Sequence, residues 1–255
     1  MSTKALALMT VAVFSAAALA QPVSPCKPDD VGTLTSLKGK SELRVIRGTL
    51  SPGKRYAIAW ATEEGKSGKD YELITHDDYK ARYAGGDSET FLVRLGDAKV
   101  LTELKGEHLG DQARYNHRIA RAIWSLDESW MIAVNDEKWD TSHAGAYHFG
   151  SGGVSAPLDL LKVCLAAEHR YFERTPIKGS FDNYAQSLNV KSVANDGTMA
   201  ALCQMQVIKE DDAYSFAIHV KLAATGNALT AIIQSVRRCA DDDDKGDCAS
   251  PDIPD

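Results

Sequence analysis

A chain of 255 residues, 44% apolar and 25% charged, is long enough to bury a sizeable core as one large domain or two small ones. Its net charge of −6 is carried by the last fifteen residues, which hold seven Asp and one Lys, while residues 21–240 carry 27 basic against 28 acidic side chains. A body this close to neutral gives no sign of the basic face a polyanion needs, so no nucleic-acid partner is expected.

The first twenty residues have the three parts of a cleavable secretory signal. Lys4 supplies the basic start, Ala5 to Leu19 is an apolar run broken only by Thr10 and Ser15, and Ala18-Leu19-Ala20 is a small-x-small ending. The run is shorter than the ~20 apolar residues a spanning helix needs, and no second long run follows. The expectation is export to the periplasm or the medium, cleavage after Ala20, and no insertion into a membrane. Residues 21–40, rich in Pro, Ser, Gly and Lys, read as a mobile lead-in. Residues 41–240 read as a single β-rich domain, and residues 241–255 as an acidic tail.

Within the domain, strand patterns dominate. Large residues alternate along Tyr56–Thr62, and Phe91–Leu95 turns through Gly96-Asp97-Ala98-Lys99 into Val100–Leu104 as a hairpin. A short helix over Asp77–Ala84 would stop at Gly85-Gly86. The clearest helix runs from Ser155 to about Phe172, with Pro157 in its first turn and Leu158, Leu161 and Leu165 on one face. Cys203, Met205 and Val207 alternate in a further strand. Along Tyr214–Leu222 the alternation is cleaner: Tyr214, Phe216, Ile218, Val220 and Leu222 share one face, and Ser215, His219 and Lys221 the other.

One pattern recurs. Ser51-Pro52-Gly53-Lys54-Arg55-Tyr56, Ser125-Leu126-Asp127-Glu128-Ser129-Trp130 and Ala194-Asn195-Asp196-Gly197-Thr198-Met199 are each a turn followed by an apolar strand. Each is followed downstream by a glycine-bearing turn, at 95–99, 149–153 and 224–227. The first two segments resemble the turn and inner strand of β-propeller blades, and Phe91–Leu104 resembles a blade's outer hairpin. The resemblance implies a propeller-like or meander antiparallel sheet. The pitch of 74 and 70 residues (51 to 125, 125 to 195) is longer than the ~40–50 of a usual blade. Three units are also fewer than a closed ring takes. An α+β fold with one long antiparallel sheet and a covering helix therefore stays open as the alternative.

All five cysteines follow the signal and none forms a C-x-x-C pair, so disulfides are expected rather than zinc. Cys239 and Cys248 bracket a short acidic loop and are expected to bridge. Cys164 and Cys203 form a second bridge or remain two buried thiols, and Cys26 is the odd one left over.

No G-x-S-x-G, H-E-x-x-H or phosphate-loop pattern occurs; Trp60 stands where a phosphate loop would need its first glycine. The acidic tail is a poor calcium loop, because Lys245 replaces an oxygen ligand. The densest polar stretch is 116–148, where His117, Asp136, His143 and His148 are candidate metal ligands or acid–base groups. Trp124, Trp130 and Trp139 in the same stretch suit a core or a sugar- or peptide-binding surface. The sequence thus reads as an exported, non-catalytic module that binds a protein or a small molecule and carries no cofactor. An exported hydrolase or metal-dependent enzyme using 116–148 is the alternative.

Overall fold

The structure, a computed structural model, describes residues 33–35, 42–62, 88–106, 108, 119–137, 140–174, 184–207 and 213–239. The proposed signal, the helix expected over 77–84 and the acidic tail lie outside these residues. The chain is mostly β, and its strands divide among three antiparallel sheets, none closed into a barrel. The first contains β1 (Thr33–Thr35), β2 (Glu42–Val45), β3 (Tyr56–Thr62), β4 (Ser88–Arg94) and β5 (Lys99–Leu104) in chain order. The second contains β6 (Ile119–Trp124), β7 (Trp130–Asp136) and β8 (Thr141–Gly150), with the two-residue strands β9 (Gly153–Val154) and β10 (Leu158–Asp159) both pairing on β8. The helix α1 (Leu160–Arg174) follows. The third contains β11 (Tyr184–Val193), β12 (Thr198–Val207), β13 (Ala213–Thr225) and β14 (Ala228–Arg238). The sheets are meanders, as the turn-rich sequence led one to expect, rather than one long sheet.

Two boundaries differ from the sequence reading. β1 falls inside the stretch read as lead-in, where β-branched Thr33 and Thr35 pair with Arg44 and Glu42. The helix starts at Leu160 rather than Ser155, because Leu158 and Asp159 first extend the sheet opposite Ala146 and Gly145. Asp159 then caps the helix, its Oδ1 accepting the Lys162 N–H at 3.3 Å.

The second sheet is the middle layer, and the alternation of β7 shows why. Trp130, Ile132 and Val134 join a core with the inner face of the third sheet and α1, including Leu188, Met199, Phe216 and Ile218. Met131 points the other way, into a core with Ile58, Trp60 and Leu92 of the first sheet. A strand buried on both faces reads as a continuous apolar run, and Trp130–Val134 is one. In β13 the expected faces form: Phe216, Ile218, Val220 and Leu222 are buried and His219 is exposed. Cys164 on the core face of α1 is bridged to Cys203 on β12, with Cα atoms 6.3 Å apart. Cys239 is also disulfide-bonded, to a partner outside the described residues.

The repeated sequence pattern is a repeated backbone geometry, one copy per sheet, at the starts of β3, β7 and β12. Lys54 (φ 55°), Glu128 (φ 61°) and Gly197 (φ 85°) take the left-handed conformation at the same place in each turn. Their N–H groups donate to the carbonyls of Ser51, Ser125 and Ala194 at 2.9, 3.0 and 2.9 Å. Ser51 Oγ accepts the Tyr56 N–H at 3.0 Å, and Ser125 Oγ accepts the Trp130 N–H at 2.9 Å. Ala194 has no hydroxyl for that bond. Gly197 is required where it stands, because a Cβ there would lie 2.6 Å from the Leu222 carbonyl.

The turns also join one another. Glu128, 4% exposed, accepts the Gly53 N–H at 2.6 Å and pairs with the Arg55 guanidinium. Asn195 Oδ1 accepts the Asp127 N–H at 3.2 Å. A chain of polar contacts thus runs from turn to turn across all three sheets.

Candidate functional site

Of the four candidate ligands in 116–148, His117 lies outside the described residues. The other three are not brought together. Asp136 ends β7, where its carboxylate accepts from Arg121 Nε at 2.5 Å and from Thr141 Oγ1 at 2.8 Å. Thr141 Oγ1 in turn accepts the Leu188 N–H at 3.0 Å, so Asp136 braces the β7–β8 corner against the third sheet. His143 and His148 both lie on β8, five residues apart. The two-residue period puts them on opposite faces, roughly 17 Å apart along the strand. His148 packs its ring on Trp130, with centroids 4.6 Å apart, while His143 is exposed. Among the described residues no group of three or more His, Cys, Asp or Glu converges to hold a metal.

The tryptophans are in the interior or at its margin. Trp130 is buried, and Trp124 is half-buried in an aromatic cluster with Tyr56 and Phe149. The Trp124 indole N–H donates to the Thr49 carbonyl at 2.9 Å. Trp139 lies outside the described residues.

His143 does belong to a cleft. A cavity of about 150 Å³ opens beside β8, lined by Lys105, Ser142, His143, Tyr147, Asp159 and Leu161. Its walls between these groups are small: Ala133, Ala144 and Gly145. Gly145 leaves room for the Tyr147 ring, which a Cβ there would meet at 3.1 Å. Burial pushes the Tyr147 phenol up to about 12.

Beside the cleft the outer edge of β8 is only partly paired by the described strands. β9 pairs with it at Phe149 and Gly150, and β10 pairs at Gly145 and Ala146. After Asp159 the chain leaves the sheet to begin α1, so no described strand pairs with that edge at Ser142–Ala144. His148 shows which peptide groups face outward. Its N–H donates to Ser155 Oγ and its carbonyl accepts the Ser155 N–H, both at 2.9 Å. By the alternation of an antiparallel strand, the peptide groups of Ala146 and Ala144 face the same way, and the alternation breaks at Ser142, where the register with β7 shifts between Asn135 and Asp136.

The two ends of this edge differ in charge. Asp159 stands at the Gly145 end. At the other end Ser142 Oγ donates to Asn135 Oδ1 at 3.0 Å. Gly106 (φ 97°) passes so close over Asn135 that a Cβ would lie 2.5 Å from its side chain, which brings Lys105 to the Ser142 end.

The sequence drew attention to His143 but missed Lys105, Tyr147 and Asp159. Only Asp159 had a local signal, as a cap residue directly before Leu160-Leu161. The others meet through the stacking of two sheets. Comparison with known proteins finds no matching family model, no matching curated protein and no matching solved structure.

Proposed function

We propose that this chain is an exported binding module that holds its ligand in the cleft beside β8, without chemical turnover. The observation that carries this reading is the character of the cleft. It combines small walls, the apolar surfaces of Tyr147 and Leu161 and opposite charges on Asp159 and Lys105, which is the make-up of a recognition site. Ser142, the one serine lining it, has its Oγ bonded to the Asn135 carbonyl at 3.2 Å as well as to Oδ1, an arrangement that supports recognition over attack on a substrate. Export is supported by the leader sequence and by two described cysteine sites in disulfide form. No described helix is long and apolar enough to cross a membrane.

The test is a screen of the purified chain against ester, phosphate, glycoside and peptide substrates, with His143→Ala alongside. The expected result is no turnover above background in either protein. Turnover by the wild type that His143→Ala abolishes would replace this reading with a hydrolase built on the same cleft.

A further inference from the structure

We infer that the cleft takes a free small amino acid, with its carboxylate held by the Tyr147 hydroxyl, His143 and Lys105 and its ammonium held by Asp159. This deepens the binding-module reading and rests on it.

The cavity follows from side-chain size. Residues paired directly across an antiparallel ladder share a face. Met131 with Tyr147, Ala133 with Gly145, and Asn135 with His143 are therefore successive rows on one side of the middle sheet. The first row packs into the core with Ile58, Trp60 and Leu92 of the first sheet. The second row carries nothing larger than a methyl group, and Asp159 extends it on the far side of Gly145. Packed layers are filled by their side chains, and over this row the filling is missing. The cavity of about 150 Å³ stands there, with Lys105, directly after β5, at its rim.

Polar groups converge on that space. Tyr147 is 3% exposed, yet its hydroxyl lies 3.3 Å from the point a Cβ on Gly145 would occupy, over the small row. Among the described residues no hydrogen bond reaches this hydroxyl, and burial keeps it protonated, so it remains a donor. A buried hydroxyl without a partner costs stability that a bound acceptor restores. His143 stands in the next row, and the close pass of Gly106 over Asn135 brings Lys105 to the same end. Among the described residues neither side chain has a hydrogen bond or an ion pair.

Three uncommitted donors at one end suit a carboxylate. At the other end Asp159 offers a carboxylate half-exposed to solvent, and its contact with Lys162 Nζ, at 3.7 Å between exposed side chains, is loose enough to share with a second cation. An anion alone would face Asp159, and a cation alone would face Lys105; a zwitterion suits both ends. A cavity of this volume takes a molecule about the size of benzene, roughly six to eight non-hydrogen atoms, as in alanine, serine or valine. Ala133, Pro157 and Leu161 offer an apolar wall to its side chain.

The experiment titrates 15N-labelled full chain with glycine, L-alanine, L-serine and L-valine and follows backbone amide shifts. Saturable shifts centred on Gly145, Tyr147 and Asp159 are expected with at least one of them, at about 1 mM or below. The des-amino analogue of that amino acid, its methyl ester, and the variants Asp159→Asn and Tyr147→Phe should each bind about tenfold more weakly, the loss of one charged hydrogen bond. Asn preserves the helix cap, so Asp159→Asn separates charge from folding. Tyr147→Phe should leave the melting temperature of the unliganded chain unchanged or raise it, because the hydroxyl it removes is unpaired there. A lowered melting temperature would show that hydroxyl committed within the protein and overturn the inference. So would shifts centred elsewhere, no saturable shifts with any of these amino acids up to about 10 mM, or equal affinity for the amino acid and its methyl ester. The binding-module reading fails differently, by the hydrolytic turnover described above.

Discussion

Two buried carboxyls show how the same residue type takes opposite roles. Burial alone would push the Glu128 carboxyl up, but bonds from Ser51, Arg55 and the Gly53 N–H, with the charge of Arg55, hold it below the usual range. Truncating it to Ala leaves the Gly53 N–H without its acceptor, and about 2–3 kcal/mol of stability should be lost in denaturant titration. Glu168 is the reverse case. It is 0% exposed on the core face of α1, and among the described residues neither of its oxygens nor Gln186 Nε2 has a partner at full hydrogen-bond geometry, so the neighbouring Gln186 amide offsets the burial only weakly. Desolvation raises its carboxyl to about 7 from an ordinary 4.5. The folded chain therefore keeps a proton that the unfolded chain releases between these values. Stability should fall by about 3 kcal/mol as pH rises from 4.5 through 7, and level off beyond. Glu168→Gln should flatten that slope and exceed the wild type in stability at pH 8, as chemical denaturation at pH 5 and pH 8 would show. Lys54, exposed and left-handed, should gain about 1 kcal/mol on replacement by Gly, by the same measurement.

At the scale of elements, the helix depends on one covalent tie. Cys164 and Cys203 close a loop of 39 residues in sequence separation, and removing that constraint through Cys164→Ala with Cys203→Ala should cost up to about 4 kcal/mol in thermal or chemical unfolding. The strands themselves were legible in the sequence, because a two-residue period survives wherever one face is buried. Tyr214–Leu222 is the clearest example. The start of α1 was not legible: Pro157 and Leu158 suit a first helical turn as well as a short edge strand, and only pairing with β8 decides between them. The hairpin after β4 was read through Gly96 and Asp97, yet the left-handed residue there is Ala98 (φ 50°). The turn motif was legible in kind, since Ser51 and Ser125 act through hydroxyl bonds that their local sequence announces.

At the scale of the molecule, three meanders stack so that the middle sheet is buried on both sides, and their starting turns join through Glu128 and Asn195. The internal repeat could be read from one sequence, but the order of stacking could not, because it depends on which apolar face covers which. The cleft belongs to that hidden part. Lys105 comes from the first sheet, His143 and Tyr147 from the second, and Asp159 from the strand that leads into the helix. The measurement that bears most directly on the proposed role is intact mass spectrometry, native and denaturing, of the chain recovered from its own host. The account predicts a denatured mass of residues 21–255, lower by about 4 Da than the all-thiol chain for two disulfides, and a native mass larger by a bound small ligand. A denatured mass that retains residues 1–20, together with a native mass equal to the denatured one, would contradict it.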